Sequence, residues 1–107
     1  MQEVRPVCRH VVLFKFKPEV APATVREIES AFGELCRQLP FVIGYEWGLN
    51  MSPEGLDRGL THCFVLTFAD EAARDRYLPH PAHVAFCKTQ LEGRIDDVCV
   101  VDYLARA

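Results

Sequence analysis

Apolar residues recur along the chain at two spacings, and these spacings predict the secondary structure. Residues 8–16, CRHVVLFKF, alternate in the two-residue period of a β-strand. Residues 22–39 carry apolar side chains three and four positions apart, which is typical of an amphipathic helix. Further strands are predicted over 42–50, 61–68 and 96–104. Two more helical segments are predicted, one from Asp70 to about Leu78 and one over 81–92.

Prolines and capping residues set the predicted helix ends. For the first helix, either Pro22 occupies the first helical position or Thr24 and Glu27 form a capping box. Pro79 ends the second helix. Pro81 suits the first position of the third, with His80 as its cap.

The resulting order, β-α-β-β-α-β, is the ferredoxin-like arrangement of an α+β fold with a four-stranded antiparallel sheet. A chain of 107 residues is long enough for one hydrophobic core and too short for two. We therefore expect a single domain over 1–107, with its core at about 8–104.

The predicted strands are apolar on both faces, which indicates a partner for the sheet. One face carries Val12, Phe14, Phe64, Leu66, Val98 and Val100, and the other carries Val11, Leu13, Cys63, Val65, Cys99 and Val101. The helices can cover only one face, and monomers rarely expose so large an apolar patch. We expect the second face to be buried against another copy of the chain, in a symmetric homodimer.

Charge and cysteine usage narrow the function classes. A formal net charge of −3 argues against nucleic acid or an anionic membrane as the main partner. The longest apolar run near the N-terminus is too short for a signal peptide or a membrane span, so a cytoplasmic location is predicted. The five cysteines, which are scattered without a CxxC pair, are predicted to be reduced core-filling thiols.

Candidate chemistry is concentrated in YLPHPAHVAF, residues 77–86. This spacing allows an acid–base site, half of a metal site, or only a capped helix start. His83 falls in the first turn of the third helix, where the helix dipole disfavours imidazolium and leaves a neutral imidazole as a general base. Tyr77 could orient that imidazole or donate to a developing enolate oxygen. The alternative is that Tyr77 and His83 only pack. A metal would need a third ligand that no nearby motif supplies, so none is predicted.

Two further histidines open strands on the face that carries the phenylalanines. A buried histidine on an apolar face is more often a satisfied core residue than a catalyst. If the first and third strands pair antiparallel, His10 and His62 lie at opposite ends of the pair, and His10 is nearer the second helical region. Trp47 could anchor the core or line a pocket mouth, and the core role is favoured.

Several segments together resemble the stress-responsive α/β-barrel family, also called Dabb: RHVVLFKFK, YEWGLNMSPEGLDRGLTHCFVLTF, YLPHPAHVAF and the closing VVDY. The resemblance spans about residues 8–104 and implies a dimeric α+β barrel. By resemblance to polyketide-cyclising members, which need no cofactor, the catalytic pair falls on Tyr77 and His83, with pocket histidines at His10 and His62. Those members carry a tyrosine where this chain has Phe32, which implies a different substrate.

The leading hypothesis is a cofactor-independent acid–base pocket for a small apolar carbonyl compound, of the cyclase, lyase or isomerase type. His83 would be the base, Tyr77 its partner, and His10 and His62 secondary polar groups. The predicted walls are Val12, Phe14, Phe32, Phe64 and Leu66. The alternative is a non-enzymatic, stress-responsive or small-ligand-binding homodimer. A haem-handling or oxygen-using relative is a third possibility.

Overall fold

Four antiparallel strands form one sheet, and three helices pack on one side of it. A computed structural model describes residues 6–106, so the predicted domain limits of 1–107 extend beyond the described residues. The strands are β1 (Cys8–Phe16), β2 (Gly44–Leu49), β3 (His62–Phe68) and β4 (Ile95–Leu104), and the helices are α1 (Pro22–Gln38), α2 (Glu71–Tyr77) and α3 (Pro81–Phe86). The sheet order is β2-β3-β1-β4. The predicted ferredoxin-like fold is confirmed.

The register of β1 fixes where the histidines lie. Phe14 pairs with His62 on β3, whereas His10 pairs with Leu66 on β3 and with Asp102 on β4. Partners opposite each other in an antiparallel pair share a face, so both histidines lie on the helix-covered side. They lie at opposite ends of it, as the sequence predicted.

The helix starts use the residues expected from the sequence. Pro22 occupies the first position of α1, and Ala21 precedes it as the cap, so the proline alternative holds and the capping box does not. The Asp70 carboxylate accepts from the Ala73 N–H at 2.9 Å and starts α2. His80 Nδ1 accepts from the Ala82 N–H at 3.0 Å and starts α3. His80 therefore has the structural role of a cap.

The helical stretch predicted over 81–92 is present, although not all of it is α-helical, and one predicted strand boundary was wrong. The third helix ends at Phe86, and a π-helical turn follows over Cys87–Leu91. The Thr89 hydroxyl donates to the Ala85 carbonyl at 2.8 Å, a side-chain bond that competes with the α-helical backbone pattern. Strand β2 begins at Gly44 and not at 42, because the N–H of Val42 donates to the Leu39 carbonyl in a turn that follows α1.

The core lies between the helices and the inner face of the sheet. Phe64 of β3 is fully buried, and its ring stacks on Phe32 of α1 with centroids 4.3 Å apart. Phe14 of β1 and Phe86 of α3 complete this aromatic cluster. The cluster joins the sheet to α1 and α3 and so holds α3 in place over the sheet.

The outer face of the sheet stays open in the single chain. Val101 is 53% exposed and Tyr103 48% exposed, both on the face of β4 turned away from the helices. The expectation of core-filling thiols holds for Cys8 and Cys36, which are free and buried, but is wrong for the exposed Cys99 of this outer face. None of the helices in residues 6–106 is long and apolar enough to cross a membrane.

Candidate active site

Tyr77 and His83 pack ring against ring where α2 gives way to α3. Tyr77 is the last residue of α2 and is 1% exposed. His83 lies in the first turn of α3 and is half-buried. Their ring centroids are 4.4 Å apart. The caps formed by Asp70 and His80 fix where the two helices start, and this places the two rings against each other.

The hydrogen bonds of His83 determine which of its nitrogens is basic. Its Nδ1–H donates to the carbonyl of Leu78 at 2.8 Å. A carbonyl can only accept, so Nδ1 carries the proton and Nε2 carries the lone pair of the neutral ring. Nε2 lies 3.5 Å from the sulfur of Cys87.

Burial sets the protonation states that this pair favours. Burial lowers the pKa of His83 below its ordinary value of 6.5, and the nearby His10 and His80 lower it further, against the opposing effect of the bond to Leu78. Burial also raises the pKa of Tyr77 above its ordinary value of 10. At neutral pH the pair is a free imidazole base beside a protonated phenol. The phenol can donate a hydrogen bond to an oxyanion.

His10 belongs to the same cluster. Its ring centroid lies 5.7 Å from that of Tyr77. Its Nδ1–H donates to Asp102 Oδ1 at 2.7 Å, and Asp102 Oδ2 accepts from Arg74 Nη1 at 2.7 Å. The carboxylate thus fixes the tautomer of His10 and satisfies its buried polar atom.

His62 lies in a different cluster at the other end of the sheet. Its Nε2 is 2.7 Å from Glu29 Oε2, and its Nδ1 is 2.8 Å from the Thr61 hydroxyl. The Trp47 indole lies parallel to the imidazole, with centroids 6.0 Å apart. Trp47 is 40% exposed, so the favoured core role was wrong: it covers His62 from the edge strand β2 and lines a surface groove, as the pocket-mouth alternative had it.

The predicted pocket walls belong to the buried hydrophobic core. All five are at most 6% exposed: Val12, Phe14, Phe32, Phe64 and Leu66. Two surface grooves lie at the His62 end of the sheet. One of about 660 Å³ is lined by Trp47, Leu56 and Cys63, among others, and one of about 700 Å³ by Phe16, Val25 and Gly59. Both grooves touch His62.

Two residues of the cluster escaped the sequence analysis: Asp102 and Arg74, which anchor His10. Cys87, which lies near the histidines in the sequence but shows no evident activation there, meets His83. Val98 and Val100 are 50% and 52% exposed on the helix side of β4, and they extend the apolar face beyond the helices. One signal was present: Val98, Val100 and Asp102 alternate on the same face of β4, so a carboxylate interrupts an apolar stripe.

Histidine side chains that could bind a metal ion lie in this region, but they do not point to a common site. His80 uses its Nδ1 to cap α3, and His83 uses its Nδ1 to bind Leu78. Within residues 6–106, no three histidine, cysteine or carboxylate side chains gather into a group that could hold a metal ion.

Comparison with known proteins identifies the family to which the chain belongs. Residues 8–105 match the Stress responsive A/B Barrel Domain, Dabb. The stress-response A/B barrel domain-containing protein HS1 of Arabidopsis thaliana is 36% identical over 103 residues, which cover 96% of this chain and 94% of that protein. Olivetolic acid cyclase of Cannabis sativa is 30% identical over 78 residues, 73% of this chain and 77% of the cyclase.

A solved structure from Thermobifida fusca shows the same fold. It is described as a dimeric ferredoxin-like protein and superposes with a TM-score of 0.79 at 21% identity, over 94% of this chain and 92% of its own. The family match over nearly the whole chain, the identity to HS1 and the observed fold agree with one another. The chain belongs to the Dabb stress-responsive A/B barrel domain family.

Proposed function

We propose that the protein is a cofactor-independent acid–base catalyst acting on a small apolar carbonyl compound, with His83 as the general base. The observation that carries this proposal is the fixed tautomer of His83. Its Nδ1–H is bound to Leu78, its Nε2 lone pair is available, and burial keeps the ring neutral. A neutral imidazole held in one orientation is suited to abstract an acidic proton next to a carbonyl group.

Tyr77 supplies the electrophilic side of the proposed reaction. The carbonyl of Leu78 already orients the imidazole, so the phenol is not needed for that task. A protonated phenol in contact with the base can donate to the oxygen that gains negative charge as the proton leaves. Of the two roles open for Tyr77, we propose that of oxyanion donor.

His10 and the open part of β4 supply the surroundings of the site. His10 is a secondary polar group next to Tyr77, held by Asp102. Val100 and Val98 offer an uncovered apolar surface on the same face of the sheet as Asp102, one and two rows away from it. We propose that this surface receives the apolar part of the substrate. His62 would lie outside this site, in the separate cluster with Glu29 and Trp47.

The similarity to olivetolic acid cyclase supports the reaction class. That relative is a cyclase by name, and its 30% identity runs over 73% of this chain. Phe32 is packed in the aromatic core here and offers no hydroxyl to a ligand. The proposal therefore shares the class of chemistry with that enzyme and leaves the substrate different.

The protein is also proposed to act as a homodimer through the outer face of its sheet. Val101 and Tyr103 are about half exposed there, on an edge strand that the helices leave uncovered. A similar ferredoxin-like structure is described as dimeric. Pairing two such faces removes the apolar surface from water. Its proposed location is the cytoplasm.

Deuterium exchange tests the proposed function without knowledge of the natural substrate. An aromatic 1,3-diketone in D₂O is incubated with the protein, and loss of its acidic C–H signal is followed by NMR. The protein is expected to accelerate this exchange above the rate in buffer, because proton abstraction is the step assigned to His83. Exchange at the buffer rate across a series of apolar diketones and β-keto esters would count against the proposal.

The pH dependence of the exchange follows from the two shifted groups. Protonation of His83 removes the base, and its pKa lies below 6.5, so the rate constant is expected to fall only at pH values below 6.5. The pKa of Tyr77 lies above 10, so no loss from phenol ionisation is expected up to pH 10. A profile corrected for the buffer rate and for ionisation of the diketone itself should therefore show a plateau between these values. An acid inflection above pH 6.5 would contradict the assignment.

A small-ligand-binding homodimer is the second candidate function. It is favoured by the burial of the predicted walls in the core and by the groove of about 700 Å³ beside His62 and Phe16. Trp47 fluorescence distinguishes the two candidates. Quenching by apolar compounds that show no enhanced exchange would favour binding alone. Exchange without quenching would favour catalysis at His83.

A further inference from the structure

The thiol of Cys87 faces the nitrogen that the proposed reaction uses. Cys87 follows His83 by four residues, so the two side chains lie on the same side of the helical segment. The sulfur lies 3.5 Å from Nε2 of His83. Nδ1 carries the ring proton, because it donates a hydrogen bond to the Leu78 carbonyl. Nε2 is therefore the acceptor in this contact, and the S–H group is the donor.

The surroundings keep both partners in the states that this contact requires. Burial raises the pKa of the Cys87 thiol above 9.0, so its proton is present at neutral pH. The titratable groups near His83 are His80 at the start of α3, Tyr77 from α2 and His10 from β1, with Cys87 on its own segment. Asp102 lies behind His10 and is paired with Arg74.

We propose that Cys87 is a positioning residue for the acid–base reaction: its S–H group donates to Nε2 of His83 and holds the basic lone pair in one direction. The Leu78 carbonyl and the thiol then secure the ring from its two sides. The C–H group of a substrate takes the place of the thiol at Nε2. A thiol is a weak donor, so it is displaced more easily than a hydroxyl or a bound water would be.

This inference deepens the proposed function, but the contact can be tested without a substrate. The imidazole C–H signals of His83 are titrated by NMR and assigned by their absence in His83→Gln. The variant Cys87→Val keeps an apolar side chain of similar size and removes the donor. Loss of a hydrogen bond to the neutral ring is expected to raise the midpoint of His83 by about half a pH unit. Cys99→Ala, which removes an exposed thiol from the outer face of β4, should leave the midpoint unchanged.

A second variant separates the hydrogen bond from simple filling of space. Cys87→Ala removes the donor and also admits water, so its midpoint should rise at least as far as that of the valine variant. A rise in the alanine variant with none in Cys87→Val would assign the effect to solvent and overturn the role of Cys87. Unchanged midpoints in both variants would overturn it as well. A raised midpoint in Cys87→Val, in a protein that exchanges no diketone, would leave the contact standing and reject the proposed function instead.

Discussion

Replacing His83 with glutamine is expected to slow enzyme-dependent deuterium exchange into the 1,3-diketone by roughly 10²–10⁴-fold, the usual contribution of a general base. Glutamine retains a polar side chain whose N–H can still donate to the Leu78 carbonyl. It has no nitrogen lone pair that accepts a proton near neutral pH. The rate constant is measured by NMR in D₂O, after subtraction of the rate in buffer.

The matched control for this substitution lies in the same motif. His80 caps α3 through its Nδ1, and asparagine is also a good helix cap. His80→Asn therefore removes an imidazole three residues away while keeping the helix start, and the exchange rate should stay within a few-fold of the wild type. An equal loss of exchange rate in both variants, with intact circular dichroism, would show that the rate depends on the local arrangement of the motif. It would contradict the assignment of His83 as the base.

Replacing Val101 with lysine is expected to convert the dimer into a monomer. Val101 is 53% exposed in the single chain and lies on the outer face of β4, opposite Val11 of β1. In the proposed dimer this position is buried against a second apolar face. Burying an unpaired ammonium group there costs several kcal/mol, enough to raise the dissociation constant by roughly a thousandfold or more. Sedimentation velocity at micromolar concentration measures the change.

Val100 provides the control for the dimer prediction. It is 52% exposed, next to Val101 in the same strand, but it points to the helix side of the sheet. Val100→Lys adds the same charge at a position of nearly the same exposed fraction, and it should leave the sedimentation coefficient of the dimer unchanged. Dissociation by Val100→Lys and not by Val101→Lys would place the interface on the other face.

The sequence was sufficient to predict the elements and to single out Tyr77 and His83, the proposed catalytic pair, which the structure brings into contact. Alternation in CRHVVLFKF separated the two faces of β1, and the register confirms that division. Proline at positions 22, 79 and 81 set the helix ends, because its ring is tolerated only at the start of a helix or outside it. Those ends place Tyr77 and His83 side by side.

The partners of the histidines could not be predicted from local patterns. Asp102 lies 92 residues from His10 in the chain, and Glu29 lies 33 residues from His62. Such pairs depend on strand register and helix rotation, which a single sequence does not specify. The antiparallel pairing of β1 and β3 did allow the separation of His10 from His62 to be predicted.

The packing of the predicted walls could not be foreseen either. A stripe such as Val12, Phe14, Phe64 and Leu66 has the same sequence pattern whether it surrounds a cavity or fills a core. Stacking of Phe32 on Phe64 at 4.3 Å fills the space between α1 and the sheet. The exposure of Trp47 has a similar origin, since β2 is an edge strand and leaves one side of the indole uncovered.

The most direct test of the central claim is a crystal structure of the protein with a bound enolate mimic, such as an apolar phenol. We expect the phenol oxygen to lie about 3 Å from the Tyr77 hydroxyl, with the ring close to Nε2 of His83 and its apolar part towards Val98 and Val100. The Cys87 thiol should then have turned away from Nε2. Density for the mimic in the groove beside His62 and Phe16, with the Tyr77–His83 contact unoccupied, would contradict the acid–base account and favour a ligand-binding protein.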